Sequence, residues 1–181
     1  GIKYLTLTIA NGKVASVTVD MGKAILTPKD IPVLFDGDRM VAQPMEVGGK
    51  NYACTAVSMG NPHCITFVED TKSIEIEKIG PLFEHHPLFP ERVNTEFVHV
   101  LSEKEVDMRV WERGSGETYA CGTGACATVA ACILNGYCVA NQPVVVHLIG
   151  GDLTITVTED WRVFMTGSAT KVYEGVYEYE D

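Results

Sequence analysis

Residues 122–135 read Gly122-Thr123-Gly124-Ala125-Cys126-Ala127-Thr128-Val129-Ala130-Ala131-Cys132-Ile133-Leu134-Asn135. This run contains no charged side chain, its length suits a helix, and Gly136 follows it as a typical C-terminal stop. A helix that is apolar on all sides has to be buried on all sides. In a chain otherwise rich in strands, such burial requires a sheet that curls around the helix. We therefore expect an α+β fold with a mixed, mostly antiparallel sheet curled around this central buried helix.

The rest of the chain is dominated by strand patterns. The segment from Ile2 to Ile9 alternates with a period of two, and the segment from Val14 to Val19 repeats the alternation after Asn11-Gly12. Two such runs joined by Asn-Gly predict a β-hairpin with a primed turn. Four further strands are expected at 106–111, 144–148, 153–157 and 162–165. A second, amphipathic helix is expected from about Ser73 to His85, with four apolar residues on one side: Ile74, Ile79, Leu82 and Phe83.

Length and composition exclude several classes of protein. The 181 residues, 46% of them hydrophobic, are enough for a real core, and no apolar run has the roughly 18 residues that a membrane span needs. The net charge of -10 would repel phosphate backbones and anionic lipids, so neither a nucleic-acid nor a membrane partner is expected. The six cysteines are too few for a disulfide scaffold and form no Cys-x-x-Cys pair that would indicate zinc. We expect a cytoplasmic protein with reduced thiols and no metal.

Cys121 is the strongest candidate for chemistry. It lies where Glu117-Thr118-Tyr119-Ala120 gives way to the apolar helix, so unpaired backbone amides and the positive end of the helix dipole should surround its thiol. Such surroundings lower a thiol pKa from about 8.5 toward neutrality, and we expect Cys121 to alkylate faster than the other five cysteines. The amides of Gly122 and Thr123 are suited to hold a carboxylate. On residue type alone, a buried cysteine that caps a core helix would be favoured, but the glycines and the helix start favour a catalytic thiol.

Three other segments carry polar groups near predicted strand ends. Glu112-Arg113 places an acceptor for an ammonium beside a cationic fork for a carboxylate, although adjacent opposite charges are also common on a solvated surface. Asn61 and His63, in Gly60-Asn61-Pro62-His63, offer a hydrogen-bonding amide and a proton acceptor, or simply a turn before an apolar strand. Asn94 at the start of another strand is open to the same two interpretations.

Together these segments resemble the carboxy-terminal half of diaminopimelate epimerases. The resemblance covers the whole chain and rests on the order and spacing of three motifs: Gly60-Asn61-Pro62-His63, Arg92-Val93-Asn94-Thr95-Glu96-Phe97 and Glu112-Arg113-Gly114-Ser115-Gly116-Glu117-Thr118-Tyr119-Ala120-Cys121-Gly122-Thr123-Gly124. Cys-Gly-Thr-Gly alone is shared with proline racemase-like enzymes, whereas the Glu-Arg-Gly-x-Gly-Glu run with both asparagine motifs is more specific. That family interconverts LL- and meso-2,6-diaminopimelate, a precursor of lysine and peptidoglycan, without pyridoxal phosphate or a metal.

The resemblance implies a role for each motif residue. Cys121 would be one of two acid/base thiols, and the amides of Gly122 and Thr123 would hold the α-carboxylate. Glu112 would bind the α-ammonium, and His63 would assist the opposite thiol. The distal end of the substrate would be bound by three side chains: Asn61, Asn94 and Arg113. No cofactor is implied, and the expected partners are the small-molecule substrate and a second copy in a homodimer.

The family's other catalytic cysteine lies in a Cys-Gly-Asn-Gly-type motif in an amino-terminal half, and these 181 residues contain no such motif. We interpret the chain as an incomplete and inactive fragment. The expected organisation is a hairpin of a truncated first domain over residues 1–22, a second catalytic domain over 23–167, and a tail returning to the first domain over 168–181.

Two other functions remain open at this level. One is a racemase of another amino acid, such as histidine, on the same fold; it would keep Cys121 and differ at the far end of the substrate. The other is a non-catalytic binding module. A panel of amino-acid substrates separates the first from a diaminopimelate epimerase, and titration with diaminopimelate tests the second.

Overall fold

The computed structural model describes residues 2–179, which form eleven strands and two α-helices. The predictions for residues 1 and 180–181 lie outside this range. The helices are α1 (Ile76–Glu84) and α2 (Gly122–Leu134), and 3-10 turns occupy Pro28–Asp30 and Thr71–Ser73. The strands are β1 (Leu5–Ala10), β2 (Lys13–Lys23), β3 (Gln43–Val47), β4 (Lys50–Ser58), β5 (Pro62–Phe67), β6 (Asn94–Ser102), β7 (Glu105–Glu112), β8 (Gly116–Thr118), β9 (Pro143–Leu148), β10 (Gly151–Val157) and β11 (Arg162–Ser168).

The strands form one mixed sheet in the order β1-β2-β11-β10-β9-β7-β6-β5-β4-β3, with β8 paired to β7. In residues 2–179 the pairs β5/β6 and β7/β9 are parallel and all other neighbouring pairs are antiparallel. Each parallel pair needs a crossover connection, and the two crossovers contain the two helices. The mostly antiparallel α+β architecture expected from the sequence is therefore confirmed.

The two helices belong to two hydrophobic clusters. α2 packs on β4, β5, β6, β10 and β11, and residues 124–132 of this helix are buried throughout. α1 packs on β3, β6, β7 and β8, where the Phe83 ring makes edge contacts with Tyr52 and Phe97. A Cβ atom on Gly80 would lie 2.3 Å from Trp111 Cδ2, so α1 touches β7 at a point where only glycine fits.

Several predicted elements are present near their expected positions. β1 and β2 form the hairpin, and Asn11 and Gly12 both have positive φ (53° and 73°), as a type I′ turn requires. α2 ends at Leu134, and Gly136 follows with a φ of 78°. Neither helix of residues 2–179 is long and apolar enough to cross a membrane.

Other predictions need correction. α1 begins at Ile76 rather than near Ser73, because Thr71–Ser73 forms a separate 3-10 turn. Leu82, assigned to the buried side, is 49% exposed, whereas Glu84 is buried. His63, expected just before an apolar strand, is the second residue of β5 and fully buried. The hairpin of β3 and β4 was not predicted, since its strands alternate weakly and Gly48-Gly49 alone marks the turn.

Candidate active site

The predicted site residues meet at one edge of the sheet because of strand direction. β5 and β6 are parallel, so both begin at this edge, where His63 is the register partner of Asn94. β7 is antiparallel to β6 and ends at the same edge, where Trp111 is the partner of Thr95. Glu112, the last residue of β7, therefore lies near the start of β6. Three segments that are distant in sequence are brought together by pairing alone.

Cys121 lies at this edge as the N-cap of α2. Its backbone is extended (φ -135°, ψ 105°), and its Sγ accepts a hydrogen bond from the Gly124 amide at 3.3 Å. Its Sγ also lies 3.5 Å from Thr123 Oγ1. The amides of Gly122 and Thr123 belong to the first turn, where no intrahelical acceptor exists, so they are available to a ligand. The site therefore combines a thiol with an anion-binding helix terminus.

The environment of the thiol contradicts the lowered pKa expected from the sequence. Cys121 is only 6% exposed. Burial and the nearby Glu96 charge raise the pKa of the Cys121 thiol to about 12, and the hydrogen bonds from Thr123 and Gly124 offset only part of this. The prediction was wrong because it counted the helix dipole and omitted burial and the carboxyl group. A thiol with a pKa raised this far stays protonated near neutral pH, so these surroundings favour Cys121 as a proton donor.

Asn61 connects the start of β5 to the start of α2. Its Nδ2 donates to Thr123 Oγ1 at 3.2 Å, and Thr123 Oγ1 in turn lies beside the Cys121 thiol. Met165 of β11 packs against the same helix terminus, since a Cβ atom on Gly122 would lie 3.0 Å from Met165 Sδ. The first turn of α2 is thus held from two sides.

Asn94 joins the segment that leads into β5 to the loop that follows β7. It is buried, its Nδ2 donates to the Pro62 carbonyl at 2.9 Å, and its Oδ1 accepts from the Arg113 amide at 2.9 Å. The Arg113 guanidinium donates to the Glu91 carbonyl at 3.0 Å, and Glu112 accepts a hydrogen bond from the Thr118 hydroxyl. The Asn94 side chain therefore aligns the two loops that carry the other predicted ligands.

Glu84, at the end of α1, anchors the loop after β7 and was missed at the sequence level. Its carboxylate accepts from Trp111 Nε1 at 2.8 Å, from the Gly114 amide at 2.9 Å and from Arg92 Nη1 at 3.0 Å. Burial would raise the pKa of Glu84, but the hydrogen bonds from Trp111 and Gly114 outweigh burial and lower it. Because a carboxylate with three donors is strongly fixed, Glu84 fixes the backbone around Arg113.

His63 and Glu96 form a fully buried pair beside Cys121. His63 Nδ1 and Glu96 Oε1 are 2.6 Å apart, and both side chains are 0% exposed. Glu96 belongs to the motif Arg92-Val93-Asn94-Thr95-Glu96-Phe97, but no role was predicted for it. It lies two residues after Asn94 on a strand and hence on the same face, a spacing that could have identified it.

All eight predicted residues thus lie at or near one edge of the sheet, within or directly beside β5, β6, β7 and α2: Asn61, His63, Asn94, Glu112, Arg113, Cys121, Gly122 and Thr123. Their chemical roles stay predictions. Within residues 2–179 no group of three or more histidine, cysteine, aspartate or glutamate side chains is arranged to hold a metal ion.

Residues 55–172 match the family model described as diaminopimelate epimerase. The diaminopimelate epimerase of Agathobacter rectalis is 55% identical, over 97% of this chain and 64% of that protein. The diaminopimelate epimerase of Desulfitobacterium hafniense is 52% identical, over 97% of this chain and 62% of that protein. The chain therefore spans less than two thirds of the length of these relatives.

Among solved structures, a hydroxyproline epimerase from Agrobacterium vitis with bound trans-4-OH-L-proline has a TM-score of 0.67 at 13% identity, over 91% of this chain and 52% of that one. At this identity the likeness defines the fold alone, which is an α+β epimerase fold. The sequence comparisons identify a narrower group of proteins than the fold does. The chain belongs to the diaminopimelate epimerase family.

Proposed function

We propose that the chain supplies one of the two catalytic thiols of a diaminopimelate epimerase, which interconverts LL- and meso-2,6-diaminopimelate without pyridoxal phosphate or a metal. The observation that carries this proposal is the Cys121 thiol at the N-cap of α2, next to the free first-turn amides. Membership in the family supports the substrate. We include in the proposal that the sheet curls around α2, supported by the contacts of α2 with β4 and with β11.

The reaction inverts a carbon that carries a carboxylate, an ammonium and one acidic proton. A base must remove the proton on one face while an acid delivers a proton on the other. Cys121 faces the reacting carbon as one of these groups, and the amides of Gly122 and Thr123 bind the α-carboxylate. Negative charge develops beside these amides as the proton leaves, and a helix N-terminus stabilises that charge.

The remaining groups orient the substrate. Glu112 accepts from the α-ammonium, and bringing this cation into the site favours the thiolate form of Cys121 when it acts as base. The distal amino-acid head is bound by Asn61, Asn94 and the Arg113 guanidinium. Polar groups that match the distal head would find no partner on a shorter amino acid, which accounts for specificity.

The second thiol comes from the amino-terminal motif that the family resemblance implies, outside these 181 residues, and His63 assists it. In this chain Cys54, Cys64, Cys126 and Cys132 are 0% exposed and Cys138 is 5% exposed, so each is buried within the core. The isolated chain is accordingly inactive. The domain limits 1–22, 23–167 and 168–181, a cytoplasmic location and a homodimer belong to the same proposal.

The test is made on the complete gene product with LL-diaminopimelate in deuterated water. We expect conversion to the meso isomer with uptake of deuterium at the inverted carbon. Cys121→Ser should lower kcat about 10²–10⁴-fold, because a hydroxyl is a far weaker acid than a thiol. Cys126→Ser, in the same helix and away from the N-terminus, is the control and should retain activity.

Two outcomes would overturn the proposal. If the enzyme leaves diaminopimelate unchanged and inverts another amino acid, such as histidine, it is a racemase of that substrate. If calorimetry shows binding of diaminopimelate without deuterium uptake, the protein is a binding module. Turnover by the purified 181-residue chain would contradict the assignment of the second thiol to another segment.

A further inference from the structure

The buried side chains of His63 and Glu96 could form more hydrogen bonds than the single one that joins them. Both side chains are 0% exposed, and within residues 2–179 His63 Nε2 and Glu96 Oε2 have no hydrogen-bond partner. Buried polar atoms without a partner are uncommon, because each costs the free energy of its lost hydration. A pair that only stabilised the fold would be better replaced by apolar side chains. The pair is therefore a candidate for a functional role.

The sheet directs this pair toward the Cys121 thiol. Ile65 is the register partner of Glu96 on the parallel strands β5 and β6, so His63, two residues before Ile65, shares the face of Glu96. On that face lies Gly124 of α2, where an added Cβ atom would be 2.7 Å from Glu96 Oε1 and 3.2 Å from Cys121 Sγ. Glu96 therefore occupies the space that a side chain at position 124 would need.

The same contact explains the second glycine of Cys-Gly-Thr-Gly. The amide of Gly124 donates to Cys121 Sγ, and its missing side chain admits the Glu96 carboxyl group. Other titratable groups near this region are Glu112 at the end of β7, whose charge acts on Cys121, and two thiols. Cys121 acts on the first, Cys126 of α2, and Glu96 acts on the second, Cys64 on the opposite face of β5. Neither Glu112 nor either cysteine is a hydrogen-bond partner of the His63 ring among the residues described.

We propose that Glu96 is a positioning residue that fixes the tautomer of His63. The Glu96 carboxylate accepts the Nδ1–H hydrogen bond, which leaves the lone pair of His63 on Nε2. When Nε2 takes up a proton from the opposite thiol, the Nδ1–H stays bonded to Glu96 and the resulting imidazolium is balanced by the carboxylate. The proton returns from Nε2 by the same route. This role rests on the proposed function, and it assigns Glu96 an indirect part in it.

Glu96→Gln tests the proposal with little change in shape. The amide presents both an acceptor oxygen and a donor nitrogen, so the His63 ring is no longer held in one tautomer and its charged form has lost its counterion. In the complete gene product we expect kcat to fall about 10–100-fold with KM changed far less. In the ¹⁵N spectrum of histidine-labelled protein, the single Nδ1-protonated form of His63 should become a mixture of tautomers.

Thr95→Val is the matched control, because Thr95 is the adjacent buried residue of β6 and its hydroxyl also has no partner among the residues described. It should leave both kcat and the His63 tautomer unchanged. Glu96→Asp keeps the charge and should recover the Nδ1-protonated form and part of kcat. If Glu96→Gln does not fold, Glu96→Ala takes its place, and the supporting result is the same mixture of His63 tautomers with a lowered kcat.

An unchanged tautomer together with an unchanged kcat in these variants would overturn the role of Glu96. The spectrum does not depend on turnover, so it separates this proposal from the proposed function. A wild-type protein that shows the Nδ1-protonated form, lost in Glu96→Gln, but no epimerisation would refute the function and leave the positioning of His63 by Glu96 intact.

Discussion

The two helices of this protein occupy equivalent positions in the topology but differ in charge, burial and capping. Each fills the crossover between two parallel strands, α1 between β5 and β6 and α2 between β7 and β9. α1 has exposed charged residues and a proline at position 81, and its N-cap residue Glu75 makes no side-chain cap bond. α2 has no charged residue, is buried over 124–132, and is capped by the Cys121 thiol.

Because of this difference, the two helices have different roles at the site. α2 brings its N-terminus to the edge of the sheet where the site residues meet, so its first turn binds a ligand. α1 brings its C-terminal turn toward the same region, and there Glu84 fixes the loop after β7. One helix presents the reacting group and the other holds the loop that carries Glu112 and Arg113.

The largest expected effect concerns the thiol that begins α2. Because burial and Glu96 raise the pKa of Cys121 to about 12, its thiolate fraction should rise about tenfold per pH unit between pH 8 and 11. Iodoacetamide labelling with mass-spectrometric mapping measures this rate. If the Cys121 labelling rate instead levels off near pH 8, the helix dipole outweighs burial in setting the pKa of this thiol.

The next largest effect is a difference in the free energy of unfolding between two leucine variants, one in each helix. Ala130 of α2 is 0% exposed, so Ala130→Leu should lower the free energy of unfolding by about 1–3 kcal/mol through overpacking. Glu77→Leu introduces the same side chain on the exposed face of α1 and should change this free energy by about 0.5 kcal/mol or less. Urea unfolding of the 181-residue chain measures both. Equal destabilisation would mean that α1 is packed as tightly as α2.

A comparable or smaller effect concerns the anchor at the end of α1. Glu84→Gln places an amide nitrogen against a hydrogen-bond donor and should lower the free energy of unfolding at pH 7 by about 1–3 kcal/mol. The pKa of Glu84 is lowered in the folded state, so its contribution is present above its ordinary pKa of about 4.3 and is lost as the pH falls through the folded value.

The difference between Glu84→Gln and the wild type should therefore shrink as the pH is lowered from 7 toward 3, which urea unfolding at a series of pH values will show. Glu77→Gln, on the exposed face of α1, is the control and should give no such difference. A constant difference over this range would contradict the hydrogen-bonded carboxylate at position 84.

Local patterns were enough to locate most of the fold. The uncharged run after Cys121 identified α2, and Asn11-Gly12 identified the first hairpin, because periodicity and turn chemistry act over a few residues. The hairpin of β3 and β4 was not predicted, because residues 54–58 of β4 are buried on both faces and give no alternating pattern. The site residues were found through motif order, whereas Glu84 and Glu96 were missed because their partners lie 8–33 residues away in sequence.

The sequence by itself determined where the apolar helix begins, that a cysteine directly precedes it, and that glycines follow at 122 and 124. The tertiary structure alone decided which groups surround that cysteine and how they set its pKa. Asn61 and Thr123 are 62 residues apart and meet only through the register of parallel strands and the placement of α2. Ionisation depends on burial and on the distance to Glu96, and both are properties of the packed sheet and helix rather than of any local run of residues.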